Sequence, residues 1–353
     1  MHPPSKILII RFSSIGDIVL TNPVIRFLRK QFPGARLDFL TKKRYADLLR
    51  WNADLSNVIL LESDDDGGLG QLRRKIREIR YDLIVDLHNS LRSRYLRTFA
   101  GARSVRVVNK HAIRRSLLVV FKKNLFKNVR SVPDRYCDTV RRFGDPDTRV
   151  DFPLPGEIVE TATGLMYAGK FTVNDRIVGF APSAAYFSKR WPMDRFVKLG
   201  KSLASSDSVK IIIFGSADDT EMCADIAHLV NSGAGAHCAE NYAGRLSLAE
   251  TAVVAGHCSV FVTNDTGVMH LAAARGARVV ALFGSSVREF GFSPQGEGNV
   301  VLESRGLECR PCSHIGRSRC PKGHFRCMND ITVDSVASEA RRILADTPPQ
   351  AAR

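Results

Sequence analysis

Three places along this sequence carry side chains whose types and spacing could do chemistry. The first is Asn264-Asp265-Thr266-Gly267, where the apolar run Val260 to Val262 breaks into residues that start helices. Asp265 and Thr266 bring side-chain oxygens to that helix start, and Gly267 lets a ligand approach the backbone. Amide N–H groups and the positive end of the helix dipole favour a phosphate there. An aspartate repels a phosphate, so Asp265 fits better as a cap for the amides or as a partner for a hydroxyl. His270 follows about one turn on and would reach the same ligand. The alternative is an ordinary capped helix with a packed histidine.

The second place is Ser13-Ser14-Ile15-Gly16-Asp17, which follows the apolar strand Lys6 to Phe12. Open α/β sheets place ligands at the carboxyl ends of such strands. An aspartate there could deprotonate a hydroxyl; the competing role is a helix N-cap. The third is Lys189-Arg190, in a loop beyond the strand that starts at Arg176. A cation there would hold a diphosphate and offset charge on a leaving group. Asp218, in Gly-Ser-Ala-Asp-Asp-Thr-Glu221, suits ribose hydroxyls, as acids at this loop do in nucleotide folds, with Glu221 as the other candidate.

These residues need strands and turns to carry them. Strands are expected near 57–62, 82–88 and 104–109 after those at Lys6 and Arg36, with helices at about Ile18 to Phe32 and near 44–51, 70–80 and 91–99. Asp64-Asp65-Asp66-Gly67-Gly68 reads as an exposed acidic loop. Pro153 to Thr172 lacks strand character and marks a domain join. Beyond it, Arg176 to Ser183, Val209 to Ser216, Val260 to Val262 and Val279 to Phe283 read as strands of a second parallel sheet, and 333–344 as a last helix.

The 353 residues leave room for two α/β domains. Hydrophobic content of 44% and charged content of 25% are those of a globular protein. No apolar run is long enough to span a bilayer and no signal-peptide pattern opens the chain, so a cytoplasmic protein is expected. The net charge of +16 is concentrated in the first half. Residues 110–130 mix a basic face with apolar positions, which reads as an interfacial segment or as a helix packed on its own domain with its basic residues outward. Such a field suits nucleic acid, an anionic membrane face or a phosphorylated acceptor. Of eight cysteines, Cys309, Cys312, Cys320 and Cys327 cluster with His314 and His324, the composition of a small structural zinc site. Free thiols are the alternative, and disulfides fit a reducing compartment least.

Asn-Asp-Thr-Gly-Val-Met-His-Leu-Ala-Ala-Ala followed by Val-Val-Ala-Leu-Phe-Gly resembles the donor-site signature of glycosyltransferase family 9, the ADP-heptose:lipopolysaccharide heptosyltransferases. Ser-Ser-Ile-Gly-Asp-Ile-Val-Leu-Thr-Asn-Pro resembles its N-terminal signature. The resemblance implies an α/β chain of the GT-B fold, two Rossmann-like doubly wound domains facing a central cleft. They would be an acceptor domain at 1–160 and a nucleotide-sugar domain at 171–332, with a helix at about 333–346 packing back on the first. It implies inverting, metal-independent heptosyl transfer from ADP-heptose to an anionic glycolipid, on the inner face of the cytoplasmic membrane and with no nucleic acid involved.

By the same resemblance Asp17 is the general base and Lys189 the catalytic cation. Ser183, Arg190, Asp218, Asp265, Thr266, Gly267 and His270 would bind the donor. Arg11, Ser13, Ser14, Arg92, Ser93 and Arg94 would bind the acceptor. Ser286 departs from the family, which often has Pro-Thr or Pro-Ser after Phe-Gly. Some members carry a similar Cys-rich element and others lack it, so no cofactor is expected for transfer itself. The alternative function is a basic nucleic-acid or membrane-surface binder with a Cys-rich zinc element.

Overall fold

The computed structural model describes residues 3–62, 66–98, 100–168, 171–172, 175–207, 209–234 and 237–347. Asp64 and Asp65 of the acidic loop lie outside them. The chain forms two compact units, Met1–Ala112 with Arg130–Leu154, and Ile113–Val129 with Pro155–Arg353.

The first unit is built on β1 (Lys6–Ile10), β2 (Arg36–Lys42), β3 (Asn57–Leu61), β4 (Leu83–Asp86) and β5 (Ser104–Val107). All pair in parallel, in the order β3-β2-β1-β4-β5. Ile7 to Ile10 and Leu83 to Val85 are continuous apolar runs, buried throughout, because helices cover both faces of such a sheet. Leu72 and Ile76 of the helix Asp66–Ile79 and Leu96 of the helix Leu91–Thr98 bury against Leu8, Ile10 and Ile84. Each such side chain stabilises the unit by about 1.5–3 kcal/mol.

The second unit repeats the winding with β6 (Ile177–Ala181), β7 (Lys210–Ile213), β8 (Ala239–Asn241), β9 (Val260–Asn264), β10 (Arg278–Phe283) and β11 (Val300–Glu303). Its order is β11-β10-β9-β6-β7-β8, again all parallel. Each unit therefore reverses strand order beside its own first strand, between β1 and β4 and between β6 and β9. Open α/β sheets bind ligands at the carboxyl ends of the strands at that reversal.

Three expectations need correction. The helix expected from Ile18 to Phe32 is two, Ile15–Val19 and Asn22–Gln31, with Pro23 in the first turn of the second. The last helix, Val333–Ala345, packs on the second unit rather than on the first. Val336, Ala337, Ala340, Ile343 and Leu344 lie in the core with Val260, Val280 and Leu282, and Arg341 pairs with Asp207 at 3.0 Å. Residues 113–129, expected within 1–160, also belong to the second unit. Lys122 donates to the carbonyls of Pro311 (2.6 Å) and Cys309 (3.3 Å), and Asn124 to Glu289 (2.9 Å).

Candidate active site

In the first unit, β1 runs out into Arg11 and Phe12, and Ser14 caps the helix Ile15–Val19. That cap sets Asp17 at the third helical position, where its Oδ2 accepts from the Ser14 hydroxyl (2.9 Å) and N–H (3.2 Å). Its Oδ1 lies 2.5 Å from the Arg11 guanidinium and accepts from the Tyr136 hydroxyl at 3.2 Å. Arg11 is buried and fixed by two carbonyls, donating to Ser13 (2.7 Å) and Leu87 (2.6 Å). Burial pushes the Asp17 carboxyl up, but the Arg11 charge and the Ser14 hydrogen bonds outweigh it and hold it below its ordinary 3.8. The cap and the ionised carboxylate are thus one arrangement, and Ser13 serves through its backbone oxygen.

At the end of β4, Asp86 is fully buried, accepts from the N–H groups of His88 and Asn89, and pairs with Arg97. His88 packs 4.8 Å from the Phe12 ring. Burial, then the charges of Arg11 and Lys110, push its pKa down to about 3. A neutral imidazole beside a carboxylate offers a donor and an acceptor without adding charge. Its NMR resonances should stay unshifted between about pH 5 and about pH 7, where a solvated histidine titrates; a midpoint in that range would show the ring is not held neutral.

The acceptor-side residues divide. Arg92 and Arg94 lie exposed on the helix Leu91–Thr98. Ser93 is corrected: it is fully buried, accepting from the Ser90 N–H (2.8 Å) and donating to the Ser90 carbonyl (3.1 Å), so it closes the helix start.

In the second unit, Lys189 ends a short turn, Phe187–Lys189, after β6. Its ammonium lies 2.7 Å from Asp265 Oδ2, with 17% and 9% of the two side chains exposed. Burial pushes Asp265 up, but the Lys189 charge and hydrogen bond reverse this and leave it below 3.8. Thr266 is the N-cap of the helix Gly267–Ala274 and makes no side-chain capping hydrogen bond, so its hydroxyl does not close the first-turn amides. His270 is buried within that helix, 6.2 Å from the Phe292 ring. Asn264 ties the two loops together, accepting from the Trp191 N–H (3.0 Å) and donating to the Pro182 carbonyl (2.7 Å).

Ser188 fixes the lysine's turn from the other side. It is buried, its hydroxyl lies 2.9 Å from that of Ser285 and accepts from the Arg317 N–H at 2.8 Å, and its own N–H donates to the Arg317 carbonyl. Gly284 permits the approach, since a Cβ there would stand 2.9 Å from the Ser188 carbonyl oxygen. Arg190 spends its Nε–H on the Ala184 carbonyl (2.7 Å) and holds the loop's shape. At the next loop Asp219, not Asp218, is engaged, accepting from Ser183 (3.0 Å) and from the Ser216 N–H (2.8 Å). Asp218 is exposed.

Cys309, Cys312, Cys320 and Cys327 line one cavity of about 350 Å³ with His324, Lys122 and Ser188. Cys309 Sγ is 3.9 Å from His324 Nε2. Among the described residues no three His, Cys, Asp or Glu side chains are gathered closely enough to hold a metal ion.

Two Rossmann-like sheets in one chain, with polar side chains gathered where each reverses its strand order, are the architecture of the GT-B glycosyltransferases. The chain belongs to glycosyltransferase family 9 (heptosyltransferase), whose model matches residues 69–321. It is 25% identical to the lipopolysaccharide heptosyltransferase 2 of Escherichia coli K12, over 96% of this chain and 98% of that protein. The structure of the E. coli ADP-heptose lipopolysaccharide heptosyltransferase II superposes with a TM-score of 0.73 at 25% identity, over 97% and 99% of the two chains. That of a family 9 glycosyltransferase from Veillonella parvula gives 0.77 at 22% identity, over 97% and 98%.

Proposed function

We propose that this chain transfers heptose from ADP-heptose to the lipopolysaccharide inner core or a related glycolipid, with inversion and with no metal needed for transfer. The observation that carries the reading is the buried Lys189–Asp265 pair at the start of the helix Gly267–Ala274. It sets a cation beside backbone amides, which suits a diphosphate. The E. coli relative's name supplies the donor and the acceptor class.

In this reading the acceptor hydroxyl oxygen attacks the anomeric carbon as its proton passes to the Asp17 carboxylate. The bond from that carbon to the diphosphate oxygen breaks, and its electron pair leaves with ADP. Lys189 and the helix amides stabilise the charge that develops there, and Asp265 holds the lysine in place. Asp218 takes the ribose, and Arg92 and Arg94 meet acceptor carboxylates or phosphates. Attack opposite the leaving group inverts the centre. In this reading the enzyme works at the inner face of the cytoplasmic membrane, where such an acceptor would be met; among the described residues no helix is long and apolar enough to cross a membrane.

A screen of ADP-, UDP- and GDP-sugars read by nucleotide release tests this. Acceptor-dependent release from ADP-heptose, with an inverted product by NMR, is expected. Release only from another nucleotide, or a retained anomer, refutes it. Thermal stabilisation by ADP and not by a DNA oligomer separates it from nucleic-acid binding.

Zinc stands apart from transfer. Four thiols and an imidazole around one cavity have the chemistry of a structural zinc site, although in this structure they do not converge. The element sits against the lysine's turn through Ser188 and Arg317, so a metal there would act on stability. Elemental analysis should find about one equivalent of zinc, and Cys309→Ser should lower Tm more than kcat. Metal-free protein of full stability refutes the zinc.

A further inference from the structure

We propose that residues 112–129 form a surface that docks the protein onto an anionic lipid bilayer. The inference deepens the reading above, since it rests on an acceptor anchored in a membrane. The segment opens with the helix Ala112–Phe121. Ile113, Leu117, Val120 and Phe121 fall at spacings of four, seven and eight, which is one helix face. Ile113 is 78% exposed and Val120 and Phe121 are each 65% exposed, while Leu118, off that face, is buried and anchors the helix. Leu125 and Val129 extend the apolar surface at 49% and 56% exposed. Large apolar side chains crowded into one exposed segment mark an interaction site.

Charge selects the partner. Residues 110–130 hold seven Lys and Arg and no Asp or Glu. Of these, Arg114, Lys123 and Lys127 are exposed within the segment. Lys122 is not available, because its ammonium is tied to the carbonyls of Val119, Pro311 and Cys309. With the Asn124–Glu289 bond it fixes the segment to the second unit. Aliphatic and phenyl groups that insert, flanked by cations that meet headgroup phosphates, match an anionic leaflet. Nucleic acid would instead call for stacking aromatics among the cations, and Phe121 is the one aromatic on the exposed face of the helix.

Sedimentation of the full chain with phosphatidylcholine–phosphatidylglycerol vesicles, against pure phosphatidylcholine, tests this. Wild type should sediment with the anionic vesicles and be released by salt. Ile113→Ser with Phe121→Ser, and separately Lys123→Glu with Lys127→Glu, should each weaken binding by about tenfold or more. Both pairs are exposed and should keep wild-type Tm and ADP binding. Equal sedimentation of both variants and wild type overturns the proposal, as does indifference to lipid charge. Concentration-dependent dimers lost in Ile113→Ser with Phe121→Ser, without vesicle binding, would make the face a self-interface and overturn it too. The transfer reading fails separately, if no ADP-heptose is turned over with a water-soluble acceptor while vesicle binding persists.

Discussion

Lys189→Ala is expected to lower kcat by about 10²–10³-fold, the effect of removing one donor aimed at developing charge. Affinity for ADP-sugar should fall less, because the amides at the start of the helix Gly267–Ala274 still face the phosphates. The structure adds a second consequence. Asp265 is 9% exposed and is held ionised against burial by this lysine, so the variant leaves a carboxylate without its counter-charge. Breaking a buried pair from one side typically costs about 3–5 kcal/mol of stability. The double variant Lys189→Ala with Asp265→Asn separates the effects: it should regain most of the lost Tm and none of the lost kcat. Kinetics and donor titration on the same preparations then decide the role. Equal losses in kcat and affinity would mean ground-state binding only, and no loss in either would leave Lys189 as the structural partner of Asp265.

These two groups were legible as chemistry because each belongs to a local strand–turn–helix pattern. Asn264 to Gly267 and Ser13 to Asp17 each follow an apolar run directly and hold a break and a helix start within a few residues, and the sheets place both breaks where strand order reverses. What the sequence hid was brought in over long separations. Tyr136 reaches Asp17 from 119 residues away, and no local periodicity announces it. Arg97 and Asp86 meet because the helix after β4 folds back over the strand end. His88 follows β4 and becomes notable only once burial against Phe12 and the Arg11 charge hold it neutral.

The local caps had a usable signal. Ser90 and Ser93, and Ser216 and Asp219, stand three apart at helix starts, the spacing of reciprocal caps. That spacing marks Ser93 and Asp219 as residues already spent on backbone. The terminal helix is a different case. Its stripe of Val336, Ala337, Ala340, Ile343 and Leu344 says that one face must be buried, and periodicity does not name the partner. The same limit applies to residues 112–129, where side-chain pattern allowed either a packed or an interfacial helix. The exposures of Ile113 and Phe121, and the tethering of Lys122, separate the two faces.

Asp17→Asn should reduce turnover by about 100-fold or more, the range for loss of a general base, with ADP-sugar affinity unchanged. The asparagine keeps the shape, and Arg11 keeps its bonds to the Ser13 and Leu87 carbonyls, so the turn should survive. The pH dependence follows from the direction of the shift. The folded carboxyl lies below 3.8, so between about pH 5 and about pH 7 it is ionised, and this group should impose no acid limb on kcat/KM there. A value depressed in the folded state also stabilises the protein above the unfolded pKa of about 3.9, and that contribution is lost as pH falls through the folded value. The Tm gap between wild type and Asp17→Asn should therefore be widest near neutrality and close on acidification. A low pKa makes a weak base, so proton transfer to Asp17 must come late, as the anomeric bond to the diphosphate breaks and the acceptor hydroxyl becomes strongly acidic. Near-normal turnover in Asp17→Asn, with the same stability gap, would reduce Asp17 to the cap of its helix and the partner of Arg11.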